Sequence, residues 1–183
     1  MHILILYASL EGQTAKIASH IAQVLRNKDH KVTYQTVDNL PADFDLGVFD
    51  AAIIAGSIHM SHYSKLLTKF VKQHIDILNS IPTALITVCM AIHSKIPESR
   101  LEASRFGATL SKETGWHPTL KATFAGAVKY TQYNFITRFI MKKISQKEGG
   151  STDTSHDHEY TDWEAVARFA EQFARKISEP QPA

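Results

Sequence analysis

The sequence predicts a three-layer α/β domain, a five-stranded parallel sheet with helices on both faces. Three observations carry this: apolar runs too continuous to face water, helical periodicity between them, and Gly- or Ser-bearing turns where runs end. Residues His2-Ile3-Leu4-Ile5-Leu6-Tyr7 form the first buried strand. An amphipathic helix follows over 14–27, with Ile17, Ile21, Val24 and Leu25 on its inner face. Residues 31–37 alternate in the manner of a half-buried edge strand. Residues 51–55 make a continuous apolar third strand that ends at Gly56-Ser57. A helix over 64–78 turns Leu66, Leu67, Phe70 and Val71 inward, and beyond Pro82 residues 84–88 are the fourth strand. Pro97-Glu98 opens a helix through 114 that Gly115 closes. Residues 120–128 are the fifth strand. A last helix over 162–177 places Trp163, Val166, Phe169, Ala170 and Phe173 on one face. One domain therefore spans 1–178, and 179–183 read as a loose tail.

Composition agrees. A chain of 183 residues, 44% hydrophobic and 21% charged, has the material for one full core. The lone Cys89 excludes an internal disulfide and a Cys-built zinc site, and suits a reducing compartment. No stretch approaches the ~20 apolar residues that cross a bilayer. The N-terminal run is too short for a signal peptide, and no Lys or Arg precedes it. The expectation is a cytoplasmic protein unless it docks on a surface.

Net charge is only +2, but its distribution is uneven. Residues 114–147 hold no acidic residue, whereas Lys121, Lys129, Arg138, Lys142, Lys143 and Lys147 are basic. Residues 148–164 reverse the sign, with Glu148, Asp153, Asp157, Glu159, Asp162 and Glu164 and no Lys or Arg. One face is thus suited to an anionic partner.

Parallel sheets bind ligands outside the carboxyl ends of their strands, where strand order reverses. The loops there are 8–13, 56–63 and 89–97. In the first, Ser9, Gly12, Gln13 and Thr14 offer hydroxyl, amide and backbone donors at a helix N-terminus, where the dipole favours an anion. A G-x-G-x-x-G for a pyrophosphate and a Gly-Lys-Ser/Thr for a triphosphate are both absent. The turn therefore suits a single terminal phosphate, as on FMN. Leu10 and Glu11 belong to the same turn, and Glu11 must point outward to tolerate that anion. In the second loop, Ser57, Ile58 and His59 can lie beside an aromatic ring system. Cys89, Met90 and Ala91 begin the third loop at the same edge. Cys89 has no Cys-x-x-Cys partner and reads as a small buried strand-end residue. His59 with His62, and His156 with His158, lack a third ligand at a recognisable spacing, so no metal is expected.

One segment interrupts the alternation. Within 131–147, Phe135, Ile136, Phe139, Ile140 and Ile144 form an apolar helical stripe, with Arg138 and Lys142 on another face. The stripe either packs on the sheet or meets a lipid surface or apolar partner. Phenylalanines that share a stripe with isoleucines suit lipid better than base stacking, so no nucleic acid is expected.

Residues 4–14, Leu-Ile-Leu-Tyr-Ala-Ser-Leu-Glu-Gly-Gln-Thr, resemble the FMN-binding entrance of flavodoxins. Three further segments narrow the likeness. These are Gly56-Ser57-Ile58 with His62-Tyr63, Gly126-Ala127-Val128-Lys129-Tyr130 with Arg138-Phe139, and Gly149-Gly150-Ser151-Thr152-Asp153-Thr154 leading to Tyr160-Thr161-Asp162-Trp163. The set resembles the quinone-dependent protoporphyrinogen IX dehydrogenases of bacterial haem synthesis, which are flavodoxin-like enzymes. The resemblance implies the strand order 2-1-3-4-5. It implies FMN-dependent, six-electron oxidation of protoporphyrinogen IX to protoporphyrin IX, with electrons passed to menaquinone or ubiquinone. It also implies a peripheral place on the inner face of the cell membrane, docked through the basic insertion. Lys129 and Arg138 are then candidates to contact the substrate's propionates. The flavin carries the redox chemistry, and no Ser-His-Asp or paired-carboxylate arrangement is present to suggest another. A flavodoxin-type electron carrier without its own substrate is the alternative, although such carriers resemble one another in an acidic surface that this chain lacks. An NAD(P)H:quinone reductase is a third reading, weakened because no nicotinamide site is legible.

Overall fold

The computed structural model describes residues 1–179. Five parallel strands, β1 (His2–Ala8), β2 (Lys31–Thr36), β3 (Ala51–Ser57), β4 (Thr83–Val88) and β5 (Leu120–Phe124), lie in the order β2-β1-β3-β4-β5. Leu6 sits beside Gln35 on one side and Ile54 on the other, so β1 is an interior strand and chain order reverses there. Strand period two divides β1 between two cores. Ile3 and Ile5 meet α1 (Gln13–Arg26) and the C-terminal helix Trp163–Ser178, with Ile17, Ile21, Phe169 and Phe173 fully or nearly buried. Leu4 and Leu6 face the opposite layer of α2 (Lys65–Gln73), α3 (Ile75–Ser80) and α4 (Pro97–Thr114), which contributes Leu67, Phe70, Val71 and Leu110. The predicted fold class is the observed one.

Three boundaries differ from expectation, each for a local reason. The helix expected over 64–78 breaks at His74, whose Nδ1 lies 2.9 Å from the Phe70 carbonyl oxygen and whose ring stacks on Phe70 at 4.2 Å. His74 itself leaves helical geometry (φ −116°, ψ 23°) while its backbone N–H still donates to the Phe70 carbonyl oxygen at 3.1 Å, and the new helix α3 buries Leu78 completely. The strand expected over 120–128 ends at Phe124. Beyond Ala125-Gly126 a two-residue strand β6 (Ala127–Val128) pairs antiparallel with β7 (His158–Glu159), forming a ribbon outside the main sheet. The inserted helix α5 runs Phe135–Glu148 rather than from 131. The Asn134 side chain caps it by accepting the Thr137 N–H at 2.8 Å, and Gly149 closes it at φ 79°. The last helix is α6 (Trp163–Ser178). Of the tail expected over 179–183, residues 180–183 lie outside the described residues.

The root of the insertion is well anchored. Tyr130 is fully buried and its hydroxyl donates to the Ser151 carbonyl oxygen at 3.0 Å. Asp157 accepts hydrogen bonds from the Thr131 N–H and hydroxyl and pairs with Lys129 at 3.6 Å. Its outer face is different. Phe135, Ile136, Phe139 and Ile140 are 84%, 69%, 55% and 51% exposed, so the stripe does not pack on the sheet.

Candidate functional site

The carboxyl ends of β1, β3 and β4 open into a cleft of about 400 Å³. Its first wall is the turn between β1 and α1. Gly12 adopts φ 85°, a left-handed conformation that glycine enters without strain, and a Cβ there would meet nothing within 4 Å. The Ser9 hydroxyl oxygen accepts from the Gly12 N–H at 3.1 Å and the Ala15 N–H at 3.4 Å, which pre-forms the turn. The first N–H groups of α1, those of Gln13 and Thr14, have no carbonyl one turn back to bond, and N–H groups so placed suit an anion. Thr14 is 1% exposed and lines the cleft. Gln13 is buried too. Its Nε2 donates to the Thr161 hydroxyl at 2.9 Å, while its Oε1 is buried without a partner. A buried acceptor without a donor costs about 1–3 kcal/mol, a cost that a ligand hydroxyl at this wall would relieve.

The second wall is the β3–α2 loop. The Ile58 N–H donates to the Val88 carbonyl oxygen at 2.9 Å, extending the β3–β4 pairing by one bond. Ser57, Ile58 and His59 all line the cleft, and His59 Nε2 lies 3.1 Å from the Ser57 hydroxyl. His59 and His62 exchange backbone hydrogen bonds of 2.9 and 3.0 Å around Met60 and Ser61, both at positive φ (49° and 64°). Two L-residues in that region store about 1–2 kcal/mol each. This tight turn projects Met60 into solvent, 95% exposed, at the lip of the cleft. On the third wall stand Cys89, Met90 and Ala91. Burial pushes the Cys89 thiol above its ordinary value, which keeps it neutral and a weak nucleophile.

Sequence reading missed the remaining wall. Ser99, Glu102 and Phe106 of α4, and Met141, Ile144 and Glu148 of α5, close the cleft along with Tyr133. On each helix the three residues are spaced i, i+3, i+7, so helical periodicity carried a signal. The basic insertion is thus part of the cleft and not a separate appendage. Tyr133 donates from its hydroxyl to Glu11 Oε2 at 3.0 Å, giving the one carboxylate of the phosphate turn a partner. Leu10 is 76% exposed and belongs to a smaller neighbouring recess.

Lys129 and Arg138 are not in the cleft lining. Lys129 pairs with Asp157, and Arg138 donates from Nε to the Tyr130 carbonyl oxygen at 3.0 Å and from a terminal nitrogen to that of Tyr133 at 3.1 Å. Both side chains brace the root of the insertion. His158 Nε2 lies 2.7 Å from the Asp153 carbonyl oxygen, and His156 lies 3.4 Å from the Asp153 carboxylate. Among the described residues no group of three or more His, Cys, Asp or Glu is placed to hold a metal ion.

Comparison with known proteins places this geometry. The flavodoxin domain family matches residues 4–155. The protoporphyrinogen IX dehydrogenase (quinone) of Escherichia coli strain K12 is 33% identical over 181 residues, which cover 98% of each chain. The Leishmania major protein of the same name is 32% identical over 172 residues, 93% of this chain and 74% of that one. Among solved structures, a flavodoxin from the domain Archaea superposes with a TM-score of 0.58 at 16% identity, covering 98% and 100% of the two chains. Flavodoxin 1 from Bacillus cereus gives 0.57 at 17% identity, covering 97% and 100%. These two likenesses concern the fold. The cofactor is FMN, as the flavodoxin domain indicates, and the cleft is compatible with it: a turn without bulk at Gly12, an orphaned acceptor at Gln13, and the 57–59 and 89–91 loops lining one cavity. The chain belongs to the flavodoxin-domain family and, within it, to the family of the quinone-dependent protoporphyrinogen IX dehydrogenases.

Proposed function

We propose that this protein oxidises protoporphyrinogen IX to protoporphyrin IX and passes the electrons to a quinone at a membrane surface. The observation that supports this over a simple electron carrier is the double role of α5. Its inner residues Met141, Ile144 and Glu148 wall the cleft, while Phe135, Ile136, Phe139 and Ile140 are exposed. The same helix can therefore meet lipid and border the flavin.

FMN, when bound, accepts electron pairs from the substrate and hands them to the quinone, three pairs for each porphyrin formed. The protein's share is binding and exclusion. The turn from Ser9 to Thr14 holds the phosphate, and Gln13 offers its free Oε1 to a ligand hydroxyl. The 57–59 and 89–91 loops flank the ring, and the neutral Cys89 adds no charge there. Tyr133 holds Glu11, and α5 shields the cleft from water.

Among the described residues no helix is long and apolar enough to cross a membrane, so attachment is peripheral in this reading. Lys143 Nζ lies 4.9 Å from the Phe139 ring centroid, with Lys142 and Lys147 exposed nearby. Anionic lipid attracts each such lysine by about 1 kcal/mol. Full burial of each large apolar side chain is worth about 1.5–3 kcal/mol. The apolar contribution is therefore the larger one.

The test is anaerobic turnover of protoporphyrinogen IX by the FMN-loaded protein with menaquinone or ubiquinone analogues. Porphyrin fluorescence no higher than in a protein-free control refutes the enzymatic reading. For docking, the variant Phe135→Ser/Ile136→Ser/Phe139→Ser/Ile140→Ser should lose sedimentation with anionic vesicles and keep FMN. Unchanged sedimentation refutes the membrane role.

A further inference from the structure

The flavin cleft lacks a cation for an anionic substrate. Its lining includes Glu11, Glu102 and Glu148 and no Lys or Arg. Lys129 and Arg138 are both turned to structural partners. A substrate that carries two carboxylates must place them elsewhere.

A second groove, of about 910 Å³, runs between α2 and α4 and shares His59, Met60, Ser61 and Phe106 with the flavin cleft. Cavities of that size take ligands of drug size or larger. Tyr63, Phe106 and Leu110 give it apolar surface, and Thr68 and Thr109 add hydroxyls. Lys65, Lys69 and Lys72 line one side at spacing i, i+4, i+7, a single face that extends about 10 Å along the helix. All three are exposed, and none belongs to an ion pair among the described residues. Among the described residues, Glu113 is the only acidic one that lines the groove. Three lysines facing one carboxylate on an apolar floor are complementary to a flat apolar ring edged with carboxylates.

We infer that the α2–α4 groove is the entry and carboxylate-recognition site for the dicarboxylate tetrapyrrole, with Lys65, Lys69 and Lys72 binding its propionates and the ring reaching the flavin across Met60 and Phe106. This rests on the proposed reaction and assigns the approach of its substrate. Electron acceptor and substrate then use different sides of the cleft, the quinone from α5 and the tetrapyrrole from α2. The lysines bind and orient; they do not take part in electron transfer.

The FMN-loaded full chain and its Lys65→Gln/Lys69→Gln/Lys72→Gln variant are compared in two assays. In anaerobic turnover, the variant should raise KM for protoporphyrinogen about tenfold while KM for the quinone stays within about twofold. In fluorescence titration, the unsubstituted protein should prefer protoporphyrin IX over its dimethyl ester, and the variant should lose that preference. An unchanged KM for the tetrapyrrole, equal rises for both substrates, or equal binding of acid and ester by the unsubstituted protein overturns the assignment. If the unsubstituted protein turns over no protoporphyrinogen, the enzymatic reading fails, and the titration still decides whether the groove reads carboxylates. Because the lysines are exposed and unpaired, the variant should fold, and its FMN content verifies this.

Discussion

The Tyr133 hydroxyl donates to Glu11 Oε2 at 3.0 Å and so ties the insertion to the phosphate turn across 122 residues of sequence. Burial, with Glu11 close by, pushes the Tyr133 phenol well above its ordinary value, so it remains a neutral donor across the physiological range. The contact gives a carboxylate that sits beside an anion site a partner of its own. Tyr133→Phe should weaken FMN binding about tenfold, equivalent to ~1.4 kcal/mol. Adding Glu11→Gln should restore most of that loss, since the repelling charge is gone. Fluorescence titration of FMN into the four members of this cycle measures the coupling.

Gln13 is the second residue proposed to contact the cofactor. Its Nε2 donates to the Thr161 hydroxyl, which donates in turn to the Ala125 carbonyl oxygen at 2.8 Å, so the amide is fixed and its Oε1 faces no donor. Gln13→Glu puts a buried negative charge beside the phosphate position and should abolish FMN retention on gel filtration. The unsubstituted protein should gain about 2.7 kcal/mol of stability at free FMN one hundred times Kd, and lose it on stripping the flavin. Thermal denaturation with and without FMN reads this as a shift of several degrees. The Gln13→Glu protein should show no shift.

Gly56 marks where β3 passes under the β3–α2 loop. A Cβ there would approach Leu67 Cδ2 to 2.5 Å and Tyr63 Cδ1 to 3.0 Å. Tyr63 is held by a 2.6 Å hydrogen bond to Thr87, and burial pushes its phenol up to about 12. Gly56→Ala should therefore cost about 1–3 kcal/mol through overpacking. That should lower Tm by about 2–4 °C per kcal/mol in a chain of this size. Leu67 is itself fully buried, so Leu67→Ala destabilises on its own. It should cost less in the Gly56→Ala background than in the unsubstituted chain if the clash is the cause.

The insertion should loosen in acid. The Thr131 N–H foremost, with the Thr131 hydroxyl and the Lys129 ammonium, holds the Asp157 carboxyl below its ordinary value of 3.8. A carboxyl whose folded pKa is depressed stabilises the fold fully above its unfolded pKa. It loses that contribution as pH falls through the folded pKa. Amide exchange across the root of α5 should accelerate as pH drops from about 5 to about 3, relative to the intrinsic rate. In Asp157→Asn the root should be looser than in the unsubstituted protein near neutral pH, lack this dependence, and differ less from it as the pH falls towards about 3. Exchange that follows the intrinsic rate in both proteins contradicts the assignment.

Much of the fold was legible because its determinants are local. Ile53 and Ile54 sit in a run that only a strand covered on both faces can bury, and both are fully buried. Gly12 and Gly115 mark helix ends, and both adopt positive φ. The break at His74 was not legible, because it falls at a residue that is neither Pro nor Gly, where the ring stacks on Phe70 and shares its carbonyl. The early end of β5 was hidden for a related reason: Ala127 and Val128 are as apolar as a core strand, yet their pairing partner lies thirty residues later. In the site, the turn from Ser9 to Thr14 could be read from residue chemistry alone. Glu102, Phe106, Met141 and Glu148 could not be assigned to it, since only packing brings α4 and α5 over the same strand ends.

By itself, the sequence determined the alternation of strand and helix, the glycine turn that opens α1 and the presence of a basic amphipathic insertion. All three depend on side-chain type and spacing along a few turns of chain. The tertiary structure decided how that insertion is used. It turned Lys129 and Arg138 inward to brace the root, left Phe135 and Ile136 in solvent, and placed Tyr133 on Glu11. It also laid Lys65, Lys69 and Lys72 along a groove beside the flavin cleft. A lysine's partner depends on which distant segment packs beside it, and that is a property of the assembled chain.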